Sequence, residues 1–302
     1  MTSHRKGLLF GLTAYLLWGL FPLYWPLLEP AGAVEILANR IVWSLAVVAA
    51  ILLVLRRHSW IRPLLADRRR VAILALAAAT IALNWGLYIY GVNSGRVVET
   101  SLGYFINPLV TIVFGVVLLH EALRGWQWAA VGLGAVAVVV LTVDYGHPPW
   151  IALTLAFSFA TYGLIKKTLG MDPLESLAAE TTLLFVPALV LLVGINLASN
   201  ATMVNQGAGH FALLASTGVV TAVPLLCFGA AAIRVPLVWL GLMQYLTPTM
   251  QFAIGVGLYN EPMPTSRWIG FALVWSALAL IAVEGFVFHR RSALSALEPL
   301  VE

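Results

Sequence analysis

Charged residues are scarce in this sequence. Asp, Glu, Lys and Arg together make up 10% of its 302 residues, and 61% of the residues are hydrophobic. An ordinary soluble domain is about 25% charged. Because a water-soluble fold has too little use for so much apolar surface, the composition excludes an ordinary soluble protein.

Other functional residues are few or scattered. Cys227 is the single cysteine, so no internal disulfide can form. No Gly-rich loop is followed by the lysine that would bind nucleotide phosphates, so nothing indicates ATP-driven pumping by this chain. The six histidines do not cluster as metal ligands do. We therefore expect no metal, no cofactor and no catalytic residues.

Long apolar stretches recur along the whole chain. Each is close to the roughly 20 residues that a helix needs to cross a bilayer. Helices are predicted because backbone groups in lipid must bond within their own segment. The sequence thus predicts an all-α integral membrane protein with ten transmembrane helices. These lie near residues 7–28, 33–55, 71–92, 97–119, 125–144, 150–168, 173–197, 210–232, 235–259 and 267–288.

The basic residues predict the orientation, since cytoplasmic loops are enriched in Lys and Arg. With a cytoplasmic N-terminus, 14 of the 17 basic residues lie inside: Arg5, Lys6, Arg56, Arg57, Arg62, Arg68, Arg69, Arg70, Arg124, Lys166, Lys167, Arg234, Arg290 and Arg291. Ten spans and two cytoplasmic termini follow. The net charge of +4 is then explained by topology, so no nucleic-acid partner is expected.

An internal repeat relates the two halves of the chain. A shift of 140 residues places Glu35 on Glu175, Pro108 on Pro248, Gly115 on Gly255, Glu121 on Glu261 and Trp128 on Trp268. With five spans in each half, the second copy must enter the membrane from the opposite side. The prediction is two inverted repeats, residues 1–146 and 147–302, with a solute site near the midplane.

Polar residues line one face of the fourth predicted helix. Tyr104, Asn107 and Thr111 share that face at helical spacing, beside Pro108. Their counterparts at the 140-residue shift are Gln244, Thr247 and Gln251, beside Pro248. Such stripes either line a wet cavity or bond neighbouring helices together. Tyr104, Asn107 and Gln244, with the adjacent Tyr245, are candidate solute-binding residues, and the two prolines are candidate bending points.

Further candidates lie in other spans. Asn84 and Tyr88 are one helical turn apart, with Trp85 alongside, and Trp18 and Tyr162 also lie deep in their spans. The alternative for the aromatic residues is ordinary core packing. A solute-binding role would use their rings as a stacking wall for a flat or cationic solute.

Three ionisable residues inside predicted spans are candidates for coupling or gating. An unpaired charge there costs at least about 2.5–3.5 kcal/mol. Arg40 is at a depth to pair with Glu99, or to contact a solute. Glu180 is the candidate proton-coupling carboxylate, with snorkelling to the cytoplasm as the alternative.

Several stretches carry a resemblance to a known family. They read AYLLWGLFPLYW, EILANRIVWS, NWGLYIYGVNSGRVVETSLGYFINPL, LAFSFATYGLIKK, VVTAVPLLCFGAAA and MQYLTPTMQF. The chain resembles the RarD proteins, bacterial permeases of the EamA type in the drug/metabolite transporter superfamily, from about residue 7 to residue 290. The resemblance implies a ten-helix inverted-repeat carrier in the bacterial plasma membrane, with helices 1, 3, 4, 6, 8 and 9 lining the path. The family's name records a link to chloramphenicol sensitivity.

The expected function is secondary transport of a small organic metabolite or drug by alternating access. Coupling of this transport to protons is a further hypothesis, motivated by Glu180 and Glu99. An integral-membrane enzyme acting on lipid or isoprenoid substrates is the alternative, but it would need paired carboxylates or a His cluster near one membrane face. A non-enzymatic membrane scaffold or sensor is a third hypothesis. The GLLFG stretch at residues 7–11 permits close helix contact and leaves a homodimer open.

Overall fold

The structure is a computed structural model that describes residues 3–119, 125–198, 200–232, 234–235 and 243–295. The described part of the chain is helical and contains no strand. The helices are α1 (Ser3–Gly19), α2 (Phe21–Tyr24), a 3-10 helix (Trp25–Leu28), α3 (Ala33–Val54), α4 (Ile61–Ala66), α5 (Arg68–Asn93), α6 (Val97–Leu119), α7 (Gly125–Tyr145), α8 (Trp150–Leu169), α9 (Pro173–Leu197), α10 (Thr202–Asn205), α11 (Gly207–Ala232), α12 (Leu246–Gly257) and α13 (Thr265–Ser295).

Seven of the described helices are long and apolar enough to cross a membrane, or eight if a bent pair near the N-terminus is one span. The apolar part of α8, Trp150–Lys166, is shorter. The predicted span 235–259 includes residues 236–242, which lie outside the described part. Seven of the ten predicted stretches agree with a helix to within three residues at each end, and α13 continues seven residues beyond the predicted end at 288. The total of ten spans stays a prediction.

The first predicted span differs from a single helix over residues 7–28. Helix α1 ends at Gly19, and the segment Phe21–Leu28 turns away by 44°. Pro22 has no N–H to donate to the carbonyl of Trp18, and its ring clashes with that carbonyl, so the α1 ladder stops there. The freed carbonyl oxygen of Trp18 accepts a hydrogen bond from Gln251 Nε2 at 3.0 Å.

The first of two compact units comprises Met1–Ser101 and Thr161–Glu261. In it α3 packs against α5, α9 and α11, and α1 packs against α11 and α12. One apolar cluster joins α3, α9 and α11 through Val48, Leu177 and Ala222. The two glycines of the GLLFG stretch are buried against other parts of the same chain. Gly7 faces Val235, and Gly11 faces Met243.

The second unit comprises Leu102–Ala160 and Pro262–Glu302. Its main contact is between α7 and α13. Leu109, Ala130 and Ala277 form its apolar cluster, and the rings of Phe105, Phe271 and Trp275 meet edge to face. The two units do not test the repeat boundary between residues 146 and 147, which stays a prediction.

Candidate functional site

The first candidate site surrounds Arg40 in the first unit. Arg40 lies on α3 and is 3% exposed. Its guanidinium carbon is 4.0 Å from the ring centroid of Trp85, 5.1 Å from that of Trp25 and 5.8 Å from that of Phe21. Its Nε donates a hydrogen bond to Thr221 Oγ1 at 2.9 Å. These five residues are the Arg40 cluster.

Two local features bring the cluster together. The bend after α1 carries Phe21 and Trp25 against α3. Gly218 lets α11 approach α3, because a Cβ at that position would lie 2.4 Å from the carbonyl oxygen of Trp43. Thr221 follows one turn later on α11 and so reaches Arg40.

Aromatic faces partly replace water around the Arg40 charge. The ring quadrupole attracts a cation over its face, and a desolvated pair is worth about 2 kcal/mol. The planar guanidinium also stacks on rings, which an ammonium does not. The Arg40 cluster can therefore keep a positive charge inside the helices.

Helix α5 supplies Trp85 and two further candidates to the first unit. Asn84 and Tyr88 are both buried, one turn apart on α5. Glu99, in the first turn of α6, is buried as well. Its predicted pairing with Arg40 stays a prediction.

The second candidate site surrounds Glu180 on α9. The carboxylate is 1% exposed and accepts three hydrogen bonds. Lys166 Nζ donates to Oε1 at 2.8 Å, Ser176 Oγ to Oε1 at 2.7 Å, and Tyr162 OH to Oε2 at 3.0 Å. Lys166 Nζ also contacts Ser176 Oγ. These four residues are the Glu180 cluster.

The geometry of the Glu180 cluster explains how a carboxylate is kept among apolar helices. One ammonium and two hydroxyls satisfy its oxygens, as a buried charge requires. Because Glu180 is buried, its carboxylate does not reach water by snorkelling. The Lys166 side chain is 22% exposed, so the cation rather than the carboxylate connects the cluster to the surface.

Trp18 lies in an aromatic group of its own. Its ring centroid is 5.5 Å from that of Tyr15 and 5.8 Å from that of Phe228. The contact with Phe228 joins α1 to α11. The polar stripe of α12 faces α1, where Thr247 Oγ1 donates to the carbonyl oxygen of Tyr15 at 2.9 Å. Together with the hydrogen bond from Gln251 to the carbonyl oxygen of Trp18, this bond connects α12 to α1.

Two more candidates lie immediately before α12. Gln244 and Tyr245 are partly buried, and Tyr245 occupies a turn. Pro248 is in the first turn of α12. Its predicted role as a bending point stays a prediction.

In the second unit, the stripe of α6 meets α8. Asn107 is 5% exposed, and its Nδ2 donates to the carbonyl oxygen of Ala156 at 3.1 Å. The rings of Tyr104 and Phe159 meet edge to face with centroids 6.1 Å apart. Pro108 lies inside α6. Asn107 makes the interhelical bond that was the alternative to cavity lining, and solute contact by Tyr104 and Asn107 stays a prediction.

Sequence reasoning missed five partners in these two sites. Thr221, Trp25 and Phe21 surround Arg40, and Lys166 and Ser176 bind Glu180. A signal existed for Ser176, which is one helical turn before Glu180, and for Lys166, which is 14 residues before Glu180 on the preceding helix. Lys166 was read only as a marker of the cytoplasmic side, and Thr221 is 181 residues from Arg40.

The described residues contain no group of three or more His, Cys, Asp and Glu side chains that could hold a metal ion.

Comparison with known proteins identifies the family. The EamA-like transporter family matches residues 5–143. A RarD protein of Streptomyces exfoliatus is 59% identical over 96% of this chain and 92% of its own length. The RarD protein of Escherichia coli is 39% identical over 96% of this chain and 98% of its own.

A solved crystal structure shares the fold at 17% sequence identity. It superposes with a TM-score of 0.59 and covers 93% of this chain and 97% of its own. Three observations point to the same family: the apolar helices of membrane-crossing length, the similarity to RarD proteins over nearly the whole chain and the family match. The chain belongs to the EamA-like transporter family, in its RarD group, and is a multi-span membrane permease.

Proposed function

We propose that this permease is a secondary transporter that moves small organic solutes by alternating access. The observation that carries the proposal is the pair of buried charges, Arg40 on α3 and Glu180 on α9. An ionisable residue inside a spanning helix is costly and marks a solute or ion pathway by default. A bundle with only a structural role would gain nothing by keeping both.

The proposed architecture is ten spans in two inverted five-helix repeats. Two pairs of helices begin 140 residues apart, α3 with α9 at 33 and 173, and α7 with α13 at 125 and 265. The members of each pair pack on each other. Such contacts between equivalent helices support a two-fold relation between repeats, and the odd number of spans per repeat makes the relation inverted.

The proposed membrane is the bacterial inner membrane, with both termini in the cytoplasm. Bacterial RarD relatives of similar length support the location. The distribution of Lys and Arg between predicted loops supports the orientation.

The proposed solute path is lined by residues of both repeats: Trp18, Asn84, Trp85, Tyr88, Tyr104, Asn107, Tyr162, Gln244 and Tyr245. Aromatic and amide side chains of this kind suit a flat organic solute with several polar groups. Chloramphenicol has that character. With the link recorded in the family's name, this makes it the first compound to test.

Proton coupling through Glu180 and Glu99 is the finer part of the proposal. A carboxylate held among spanning helices can take up a proton and lose its charge, which changes its affinity for a nearby ammonium. Glu180 is the better supported of the two, because its cation and both hydroxyl donors are identified.

The test uses the full chain purified and reconstituted into liposomes. Labelled chloramphenicol and a metabolite mixture are offered with and without an imposed pH gradient, and the contents are analysed by mass spectrometry. We expect protein-dependent movement of at least one solute, increased by the gradient. Chemically altered products without net movement would instead favour a membrane enzyme.

Variants separate coupling from transport. Glu180→Gln and Glu99→Gln should lose the response to the gradient, and Glu29→Gln, at an exposed residue, is the matched control. Accumulation that is unchanged in both Glu180→Gln and Glu99→Gln would remove proton coupling from the proposal.

A further inference from the structure

The Glu180 cluster contains all the parts of a site for a primary ammonium group. Such a group has three N–H donors and no acceptor, so it is recognised by carboxylate and hydroxyl oxygens and by aromatic faces. Around Lys166 Nζ these are Glu180 Oε1 at 2.8 Å, Ser176 Oγ, and the Tyr162 ring centroid at 5.4 Å. Three kinds of partner therefore converge on one nitrogen.

The frame of the site is fixed independently of the lysine. Ser176 and Glu180 are one turn apart on α9, and the serine hydroxyl donates to the carboxylate at 2.7 Å. Tyr162 donates to the other carboxylate oxygen at 3.0 Å from α8. Both carboxylate oxygens are therefore oriented by hydroxyl groups, whether or not an ammonium is bound.

The ammonium that occupies the site is on a long, flexible side chain. Lys166 is the more exposed member of its ion pair: its side chain is 22% exposed, against 1% for that of Glu180. Lysine can extend its four-carbon chain toward water while its backbone stays in place. Lys166 can therefore leave the site, whereas Glu180 cannot.

We propose that the Glu180 cluster is a binding site for primary amines, in which Lys166 is a tethered occupant that an amine-bearing solute replaces. The ligand class is a solute with a primary ammonium group, and Lys166 holds the site while no such solute is bound. The inference rests on the proposed function, because it assumes that the bound amine is the transported solute. It specifies the chemical group by which that solute is recognised.

The test is rescue of a truncated lysine. In Lys166→Ala the retained Cβ leaves a space of the shape of n-propylammonium, the missing part of the side chain. We expect n-propylammonium to raise the thermal unfolding midpoint of purified Lys166→Ala, and 1-propanol, which has the same length without charge, to leave it unchanged. The wild type should respond less to n-propylammonium, because the amine must displace the Lys166 ammonium, and Lys6→Met, at an exposed lysine, should respond as the wild type does.

The carboxylate supplies the second control. Adding Glu180→Gln to Lys166→Ala should abolish the response to n-propylammonium. A shift of Lys166→Ala by n-propylammonium that is no larger than its shift by 1-propanol, or one that survives Glu180→Gln, would overturn the site.

Poor folding of Lys166→Ala is also informative. If the variant is not recovered alone, the inference predicts recovery when n-propylammonium is present during solubilisation and purification, but not with 1-propanol. Failure with both compounds would contradict it.

Transport is measured separately, so that the two proposals can fail independently. Wild-type protein in liposomes is offered amino acids together with their N-acetyl derivatives, which lack the ammonium. Selective movement of the amino forms supports the inference, and equal movement of both forms contradicts the solute class. If neither moves, the transport of amines fails and the rescue result still decides whether the site binds them.

Discussion

Arg40 and Glu180 occupy equivalent positions of α3 and α9 at the 140-residue shift, and both are buried. The partners identified for the two charges differ in kind. Three aromatic faces and one hydroxyl lie against the Arg40 cation, whereas the Lys166 ammonium and two hydroxyls donate to the Glu180 carboxylate. The duplicated position thus holds a charge in both halves, and the neighbouring helices decide how that charge is stabilised.

The difference has a physical basis. A delocalised guanidinium is weakly hydrated and can be stabilised by stacking on rings. A carboxylate is repelled by the negative face of a ring and needs N–H or O–H donors. We therefore expect the Glu180 cluster to depend on one cation, and the Arg40 cluster to depend on the close packing of several helices.

The largest expected effect is the loss of that cation. Lys166→Met should lower the free energy of unfolding by about 3 kcal/mol, because the buried Glu180 carboxylate is left without its counter-charge. The measurement is unfolding in mixed micelles followed by tryptophan fluorescence. In Lys166→Met combined with Glu180→Met, much of the loss should be recovered, since no uncompensated charge remains. A loss no greater than that of Lys6→Met would show that Glu180 does not need Lys166.

An intermediate effect is expected where packing holds the Arg40 cluster together. Gly218→Ala places a methyl group against the Trp43 backbone, so α11 must move away from α3, at a cost of about 2 kcal/mol. Gly209→Ala is the matched control on the same helix, because a Cβ at Gly209 meets nothing within 4 Å. That control should be neutral or slightly stabilising. If both variants unfold alike, the close α3–α11 contact does not support the Arg40 cluster.

The smallest effect isolates one aromatic contact. A double-mutant cycle of Arg40→Met and Trp85→Leu should give a coupling energy of about 1 kcal/mol, since the ring stabilises the guanidinium that it faces. The measurement is again the free energy of unfolding of the four proteins. Trp126→Leu, at a ring that is 64% exposed, replaces Trp85→Leu in a parallel cycle and should give no coupling. Equal coupling in the two cycles would remove the cation–π contribution.

Sequence reasoning predicted the helices better than the site. The ends of α6 and α9 agree with the predicted spans 97–119 and 173–197, because apolar length and short polar breaks are local properties. The bend at Pro22 was missed, although the proline that causes it is visible in the sequence. The residues Arg40, Trp85, Tyr162 and Glu180 were selected as candidates because each is unusual within an apolar run.

Partners were harder to predict than the residues themselves. Lys166 and Glu180 are close along the chain, and their pairing could have been considered for two helices joined by a short connection. The contact of Arg40 with Thr221 had no such signal. The pairing of Arg40 with Glu99 rests on depth alone and stays a prediction.

What the sequence by itself determined is the all-helical membrane character, most helix limits and the permease family. These depend on the thickness of the hydrocarbon layer and on backbone bonds inside each segment, both of which are local. Only the tertiary structure decided which side chains neutralise the buried charges. Helices far apart in sequence pack according to side-chain size and shape, and a glycine at 218 and a bend at Pro22 determine which groups come within bonding distance of Arg40.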